Sequence, residues 1–406
     1  MKIAVVGVGT AGIMSLSHLL AHAPPGSTIV AVYDPKIPIL GIGESSTFTL
    51  PKLLFAGTGF NLPEDSHELD STIKLSVTYK NWREQSFESF IEPMDGYAVH
   101  FDNFRMKEFS FERFKLLWGS RFEELVGTVV DIKNNGEFAS VYLSNGEEKF
   151  DLVIDCRGYP TDYSDYIIAK DMPVNHCLVN MIPTPGNWTS TIHQATKNGW
   201  MFGIPLQSRQ GWGYLYNDTI TTREEAVADI ADIFNTTTDK LTLREFSFKN
   251  YYAKTFFDGR ILKNGNRALF FEPLEALSSH FYEIAVRSMF DYFLGDKNMD
   301  TPAKVNQHLT RVAGNLENFY HYVYHGGSIY DTPFWKITTK KSSEKLKNNN
   351  LWKETVSEID RCIIDEGFVN RPIGAWMTGK WLDWERKFKY SIFKKPHPEL
   401  FWKRQS

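Results

Sequence analysis

The sequence predicts an α/β protein: a Rossmann-type parallel sheet with a β-meander, a second mixed sheet, and a helical C-terminal part. Three observations lead there. An apolar strand, a glycine-rich turn and a helix open the chain within residues 2–23. Two Asn-Gly pairs, Asn135-Gly136 and Asn145-Gly146, separate three strand-like runs in the middle. From about residue 280 onward the apolar spacing becomes helical.

Residues 2–6, KIAVV, form an unbroken apolar strand of the kind buried in a parallel sheet. The helix after it, AGIMSLSHLLAHA, stops at Pro24, Pro25 and Gly26, because proline lacks the amide a helix needs. A second buried strand, TIVAVYD, ends at Asp34 and completes a βαβ unit. Residues 125–132, 138–143 and 149–155 read as the meander strands, since Asn-Gly suits the tight hairpin turn. The run DLVIDCRG, ending at Gly158, returns to the parallel sheet. Residues 166–256 are mixed and strand-rich, with a turn at Pro183–Gly186 and a helix over 223–235. The remainder reads as helix, interrupted by a Lys/Asn-rich loop near 340–350.

Composition excludes several classes of function. The 406 residues give room for two or three domains, and 42% apolar with 23% charged is ordinary globular composition, not disorder. A net charge of −4 does not suit a nucleic-acid binder. No apolar run reaches the roughly 20 residues that span a bilayer. Cys156, Cys177 and Cys362 are too few and too irregular for a disulfide framework or a zinc site, and a reducing cytoplasm fits them. His176, His193, His280, His321 and His325 show no metal spacing, and read as surface or core histidines. The basic stretch at Lys387, Lys389 and Lys394-Lys395 reads as a solvated helix face. Aromatic residues reach 15%, which suits either a heavy aromatic core or a site for flat ligands.

Gly7-x-Gly9-x-x-Gly12 stands between the first strand and helix. The first glycine allows the tight turn, the second lets the backbone approach a pyrophosphate, and the third lets helix and strand pack closely. Thr10 and Ala11 open the helix, whose free N–H groups attract phosphate. Asp34, 22 residues after Gly12, is placed to accept from ribose hydroxyls. One fingerprint combined with a meander, and no second fingerprint for a nicotinamide cofactor, points to FAD. The expected spans are 1–165 for the first part of the FAD-binding domain and 166–256 for a substrate-side sheet. Residues 257–285 return to the FAD-binding domain, and 286–406 form a helical region over the substrate.

Five further motifs occur in order. They are Gly41-Ile-Gly43-Glu44-Ser45, Ile73-Lys74-Leu-Ser-Val-Thr-Tyr-Lys-Asn-Trp82, Gly199-Trp200-Met-Phe202-Gly-Ile204-Pro205, Phe271-Glu-Pro-Leu-Glu275-Ala-Leu277-Ser278 and Asp331-Thr-Pro-Phe334-Trp335. Together they resemble the flavin-dependent halogenases of the tryptophan type, from residue 1 to about 337. The resemblance implies that Gly43, Glu44 and Ser45 strap over the flavin. It implies that Trp200, Phe202, Ile204 and Pro205 wall the flavin off from substrate, with Phe202 in place of the family's second tryptophan. It assigns the active-site lysine to Lys74 and the second catalytic group to Glu275, while Glu272 is expected to be structural. Leu277 and Ser278 fall where the family holds halide, but the family's Ser-Thr-Gly is here Ala-Leu-Ser. A shifted halide preference, toward bromide or iodide, is the expectation from that change.

On the substrate side the resemblance points to Phe101, Tyr324, Tyr330, Phe334 and Trp335. Tyr330 replaces the glutamate that holds the amino group in tryptophan-specific members, so free tryptophan is an unexpected substrate. The family's His-x-Phe pair maps poorly, onto Val99 and Phe101. The chain is shorter than its typical relatives, so a more open site is expected. The implied reaction has reduced FAD and O2 oxidise halide to hypohalous acid, which Lys74 and Glu275 direct to an electron-rich indole or phenol. A separate flavin reductase is the expected partner, with no metal, nucleic acid or membrane involved, and a homo-oligomer is a base-rate expectation. Two rivals stand: an FAD-dependent aromatic monooxygenase that needs no halide, and a degenerate, non-catalytic flavoprotein.

Overall fold

The computed structural model describes residues 1–394 except 40, 42, 63, 84–85, 92–95, 365–371 and 374–375. Ile42 of the strap motif and Lys395 of the basic stretch lie outside the described residues. Five parallel strands form one sheet in the order Ile261–Lys263, Leu152–Asp155, Lys2–Val6, Thr28–Tyr33, Phe122–Val126. Ile3, Val5, Ile29 and Ala31 face the main core. Ala4, Val6, Val30 and Val32 pack on Ala139, Val141, Leu143 and Phe150 of the meander. Both faces are covered, which is why these strands read as unbroken apolar runs.

The meander is antiparallel: Val129–Asn134, Ala139–Leu143 and Gly146–Phe150. Two expected strands are divided here. The run 125–132 breaks at Gly127-Thr128, leaving Phe122–Val126 in the parallel sheet and Val129–Asn134 in the meander. The run 149–155 breaks at Asp151 in the same way. An apolar run does not record which sheet its halves join.

The mixed sheet has seven strands, ordered Leu243–Ser247, His176–Ile182, Gln210–Tyr216, Gly199–Pro205, Ser190–Thr196, Ser76–Lys80, Phe87–Phe90. Its one parallel pair joins Ser190–Thr196 to Ser76–Lys80, so two strands come from before the meander. Strand Gly199–Pro205 alternates: Trp200, Phe202 and Ile204 enter the main core. Met201 packs with Tyr214, Tyr216 and the helix Arg223–Ile233 on the other face. That helix starts at a capping box between Thr222 and Glu225.

Helices Leu277–Phe293, Pro302–His325, Pro333–Asn348, Asn350–Ile364 and Thr378–Lys387 complete the chain. The expected loop at 340–350 is almost all helix. Phe334, Thr338, Ser342 and Leu346 are its buried stripe, spaced by four residues. Two of the four are polar, which hid the stripe from a hydropathy reading. Among the described residues no helix is long and apolar enough to cross a membrane.

Candidate active site

The glycine fingerprint has three distinct environments. Gly7 has φ +98° and an added Cβ would lie 2.5 Å from the Cys156 carbonyl oxygen. A Cβ on Gly12 would lie 2.0 Å from the Gly7 oxygen. On Gly9 it would meet nothing within 4 Å, so that glycine keeps an approach open rather than serving packing. Helix Thr10–His22 has no side-chain N-cap bond and no acidic residue in its first turn, leaving its positive end for an anion. Gly158, with φ +84°, also borders open space. Thr10 Oγ1 donates to Asn103 Oδ1 (2.7 Å), and Ala11 is buried against Gly265. Asp34 accepts from Thr128 Oγ1 (2.5 Å) and the Lys36 N–H (2.9 Å), bonds that lower its pKa. An open glycine, an uncapped helix end and a carboxylate at the next strand end fit an FAD.

Lys74 lies where the chain passes from one sheet to another. Strand Thr72–Lys74 pairs antiparallel with Ala98–His100, and Ser76–Lys80 then enters the mixed sheet. Lys74 is 3% exposed. Nζ donates to Ser45 Oγ (3.0 Å) and the Ser46 carbonyl (2.9 Å). Burial pushes its pKa down to about 8; the Lys380 charge acts the same way and the Glu275 carboxylate opposes both. The strap residues are pinned beside it: the Ser46 N–H and Oγ both donate to the Val99 carbonyl, and the Phe101 N–H donates to the Glu44 carbonyl. Glu44 itself is buried and accepts from Arg209 Nη2 (2.6 Å), yet burial outweighs that bond and raises its pKa. Gly43 has φ +79° with open space where a Cβ would stand.

Glu275 is 7% exposed and accepts from the Tyr79 hydroxyl at 2.8 Å. Tyr79 is held by a stacked Phe87 (4.9 Å) and edge contacts to Trp82 (5.9 Å) and His193 (5.3 Å). Glu275 and Ala276 both have positive φ, +60° and +55°, a costly pair for residues with a Cβ. Leu277 and Ser278 follow in the right-handed helix Leu277–Phe293, whose N-cap Ala276 offers no side-chain bond. Serine in place of the family's glycine at 278 therefore strains nothing. Glu272 differs from Glu275. It is fully buried, one carboxyl oxygen has no partner, and burial holds its pKa well above the usual carboxylate range despite Tyr324 (3.2 Å).

Trp200, Phe202, Ile204 and Pro205 are all buried in one strand. Phe202 needs Gly213 beside it, since a Cβ there would lie 2.3 Å from the ring. Trp335 donates from Nε1 to the Thr196 carbonyl (2.7 Å) and meets Phe334 (5.2 Å), Tyr324 (5.9 Å) and Trp82 (5.2 Å). Tyr330 is half-buried and its hydroxyl accepts from Asn81 (3.3 Å). Phe101 is fully buried in the main core. Phe388, just past helix Thr378–Lys387, packs edge-on against Tyr79 (5.4 Å) and Phe87 (4.9 Å).

The sequence reading missed four groups. Tyr79 holds Glu275 from 196 residues away, a contact that no local spacing signals. His193, one of the histidines set aside, lies between Tyr79 and Trp200 (5.1 Å), buried with Nδ1 unpartnered. His100 and Thr191 line up behind Ser45. His100 stands between the two residues matched to the family's pair, which drew attention away from it.

The family model for tryptophan halogenase matches residues 2–118 and 88–362, beyond the 337 expected. The tryptophan 7-halogenase RebH of Lentzea aerocolonigenes is 25% identical over 82% of this chain and 78% of its own. The tryptophan 6-halogenase ThaL of Streptomyces albogriseolus is 21% identical over 100% of this chain and 92% of its own. The solved structure of tryptophan 6-halogenase SttH from Streptomyces toxytricini superposes with a TM-score of 0.80 at 19% identity, covering 98% of this chain and 92% of that one. The family model thus matches most of the chain, and the chain belongs to the tryptophan halogenase family of flavin-dependent enzymes.

Proposed function

We propose that the chain halogenates an electron-rich aromatic ring, indole- or phenol-like, other than free tryptophan. The carrying observation is a buried Lys74 ammonium set in the field of the buried Glu275 carboxylate. Reduced FAD, when bound, supplies with O2 the oxidising power that converts halide to hypohalous acid, and a separate reductase renews it. Gly7, Gly9, Thr10, Ala11, Gly12, Asp34 and Gly158 hold the dinucleotide, and Gly43, Glu44 and Ser45 strap it. Trp200, Phe202, Ile204 and Pro205 keep the ring of the substrate away from the cofactor and keep water out. The amides at Leu277 and Ser278 attract halide at an uncapped helix end.

Lys74 meets the hypohalous acid, either as an ammonium donor to its oxygen or as an amine that takes the halogen. In the donor case the O–halogen bond breaks, the ring carbon takes the halogen, and Lys74 protonates the departing hydroxide to water. Glu275, steadied by Tyr79, takes the proton the ring loses. Phe334, Trp335 and Tyr324 orient the ring, and Tyr330 in place of a carboxylate leaves an amino group without a charge partner. Bromide and iodide are favoured because they shed water and oxidise more easily than chloride. The test is product formation with FAD, NADH, a flavin reductase and each halide on a panel of indoles, phenols and tryptophan. Halogenated product that survives catalase and vanishes in Lys74→Ala supports the reading. Hydroxylated product without halide overturns it in favour of a monooxygenase.

A further inference from the structure

A continuous line of hydrogen-bonding groups leads from Lys74 to His100. Lys74 Nζ is 3.0 Å from Ser45 Oγ, and that oxygen is 2.9 Å from Thr191 Oγ1. Thr191 Oγ1 is 2.9 Å from His100 Nε2. His100 Nδ1 is 3.1 Å from Thr72 Oγ1, whose own proton goes to the Pro205 carbonyl at 2.7 Å. This last bond orients every other one. With its hydroxyl committed, Thr72 accepts, so His100 carries its proton on Nδ1 and Nε2 is an acceptor. Thr191 then donates to Nε2, Ser45 donates to Thr191, and Lys74 donates to Ser45.

Strand pairing makes this line possible. Thr72 stands opposite His100 and Lys74 opposite Ala98, so Lys74 and His100 share one face of the two-stranded sheet. An isolated bridge joins Ser45 to His100 from the other side. His100 is fully buried, and no other residue among those described hydrogen-bonds its ring.

We propose that His100 is the proton acceptor for Lys74, reached through Ser45 and Thr191, and that this relay delivers Lys74 as a neutral amine inside a dry site. The proposal rests on the halogenase reading and selects between its two roles for Lys74. Lys74 passes a proton to Ser45 Oγ, the Ser45 proton moves to Thr191 Oγ1, and the Thr191 proton moves to His100 Nε2. Ammonium and imidazole become amine and imidazolium, with no change in total charge and no bond to carbon broken. A rotation about Cε–Nζ turns the amine lone pair toward the hypohalous acid. The amine takes the halogen, the departing hydroxide takes one of the nitrogen's own protons and leaves as water, and Lys74 becomes a neutral haloamine. When the ring carbon takes the halogen, Glu275 passes the ring's proton to the lysine nitrogen, and the relay then runs backward to restore the ammonium. Burial and the Lys74 charge both hold the His100 pKa well below its ordinary value, so the imidazolium is short-lived and the resting proton stays on Lys74. His100 and Thr191 are positioning residues, acting through Lys74.

The test compares Thr191→Val, which keeps shape and both Lys74 bonds but removes the hydroxyl, with Thr191→Ser, which restores it. Nitrogen-15 NMR of labelled histidine and lysine reads the His100 tautomer and the exchange of the Lys74 Nζ protons, neither of which needs turnover. The expected results are an Nδ1–H tautomer, and Nζ exchange and halogenation kcat both slowed about tenfold or more in Thr191→Val. KM for the ring should hold, and Thr191→Ser should recover. An Nε2–H tautomer, or wild-type exchange and kcat in Thr191→Val, overturns the relay. If the enzyme halogenates nothing, tautomer and exchange still decide the relay, and the failure belongs to the halogenase reading.

Discussion

Lys74 makes the fold less stable at neutral pH, and the size of that effect can be worked out. Its pKa is about 8 in the folded chain against an ordinary 10.5, so between those values the unfolded chain binds more protons. Stability therefore rises with pH across that window, and the full penalty is present below pH 8. The gap is equivalent to roughly 3 kcal/mol. Lys74→Met keeps the aliphatic stem and removes the charge, while the Ser46 carbonyl loses its donor at a cost of roughly 1 kcal/mol. Flavin-free Lys74→Met should thus be more stable than the parent by roughly 2 kcal/mol at pH 7, and about equal to it near pH 10. Urea unfolding of both chains at the two pH values measures this. A difference between the chains that is the same at both pH values would refute the burial argument, as would a variant less stable than the parent at pH 7.

Further predictions concern the neighbours. Gly9→Val should fold with near-parental stability but lose FAD affinity, because its Cβ meets open space, whereas Gly12→Ala should disrupt the fold through the Gly7 carbonyl at 2.0 Å; thermal melts and flavin titration separate the two. Tyr79→Phe keeps the ring stack with Phe87 and removes the donor to Glu275, so kcat should drop about tenfold with little change in melting temperature. Arg209→Met leaves buried Glu44 without its cation; it should destabilise the chain by roughly 3–5 kcal/mol, with Glu44→Gln in the same background recovering part of the loss, read by urea unfolding.

The division between sequence and structure runs along physical lines. Local motifs were legible because their chemistry is local. A glycine turn needs its glycines wherever the rest of the chain lies, and Gly7 and Gly12 meet the close contacts that the motif implies. Asn145-Gly146 and Asn135-Gly136 mark the meander turns. Trp200, Phe202 and Ile204, at alternate positions of their strand, share the face that enters the main core. The divided strands at Gly127 and Asp151, and the helix across 340–348, were not legible. Sheet membership depends on distant partners, and a helix face lined by Thr338 and Ser342 carries no hydropathy signal.

The site shows the same division more sharply. Sequence by itself singled out one lysine and one glutamate, Lys74 and Glu275, through their motifs' resemblance to the family. Only the tertiary structure decided what surrounds them. Tyr79 and Glu275 are 196 residues apart and meet at 2.8 Å. Ser45, Lys74, His100 and Thr191 come from four separate segments brought together by the pairing of Thr72–Lys74 with Ala98–His100 and by the strap beside it. Proton position and pKa depend on burial and on contacts between remote segments, and those quantities exist only once the chain is folded.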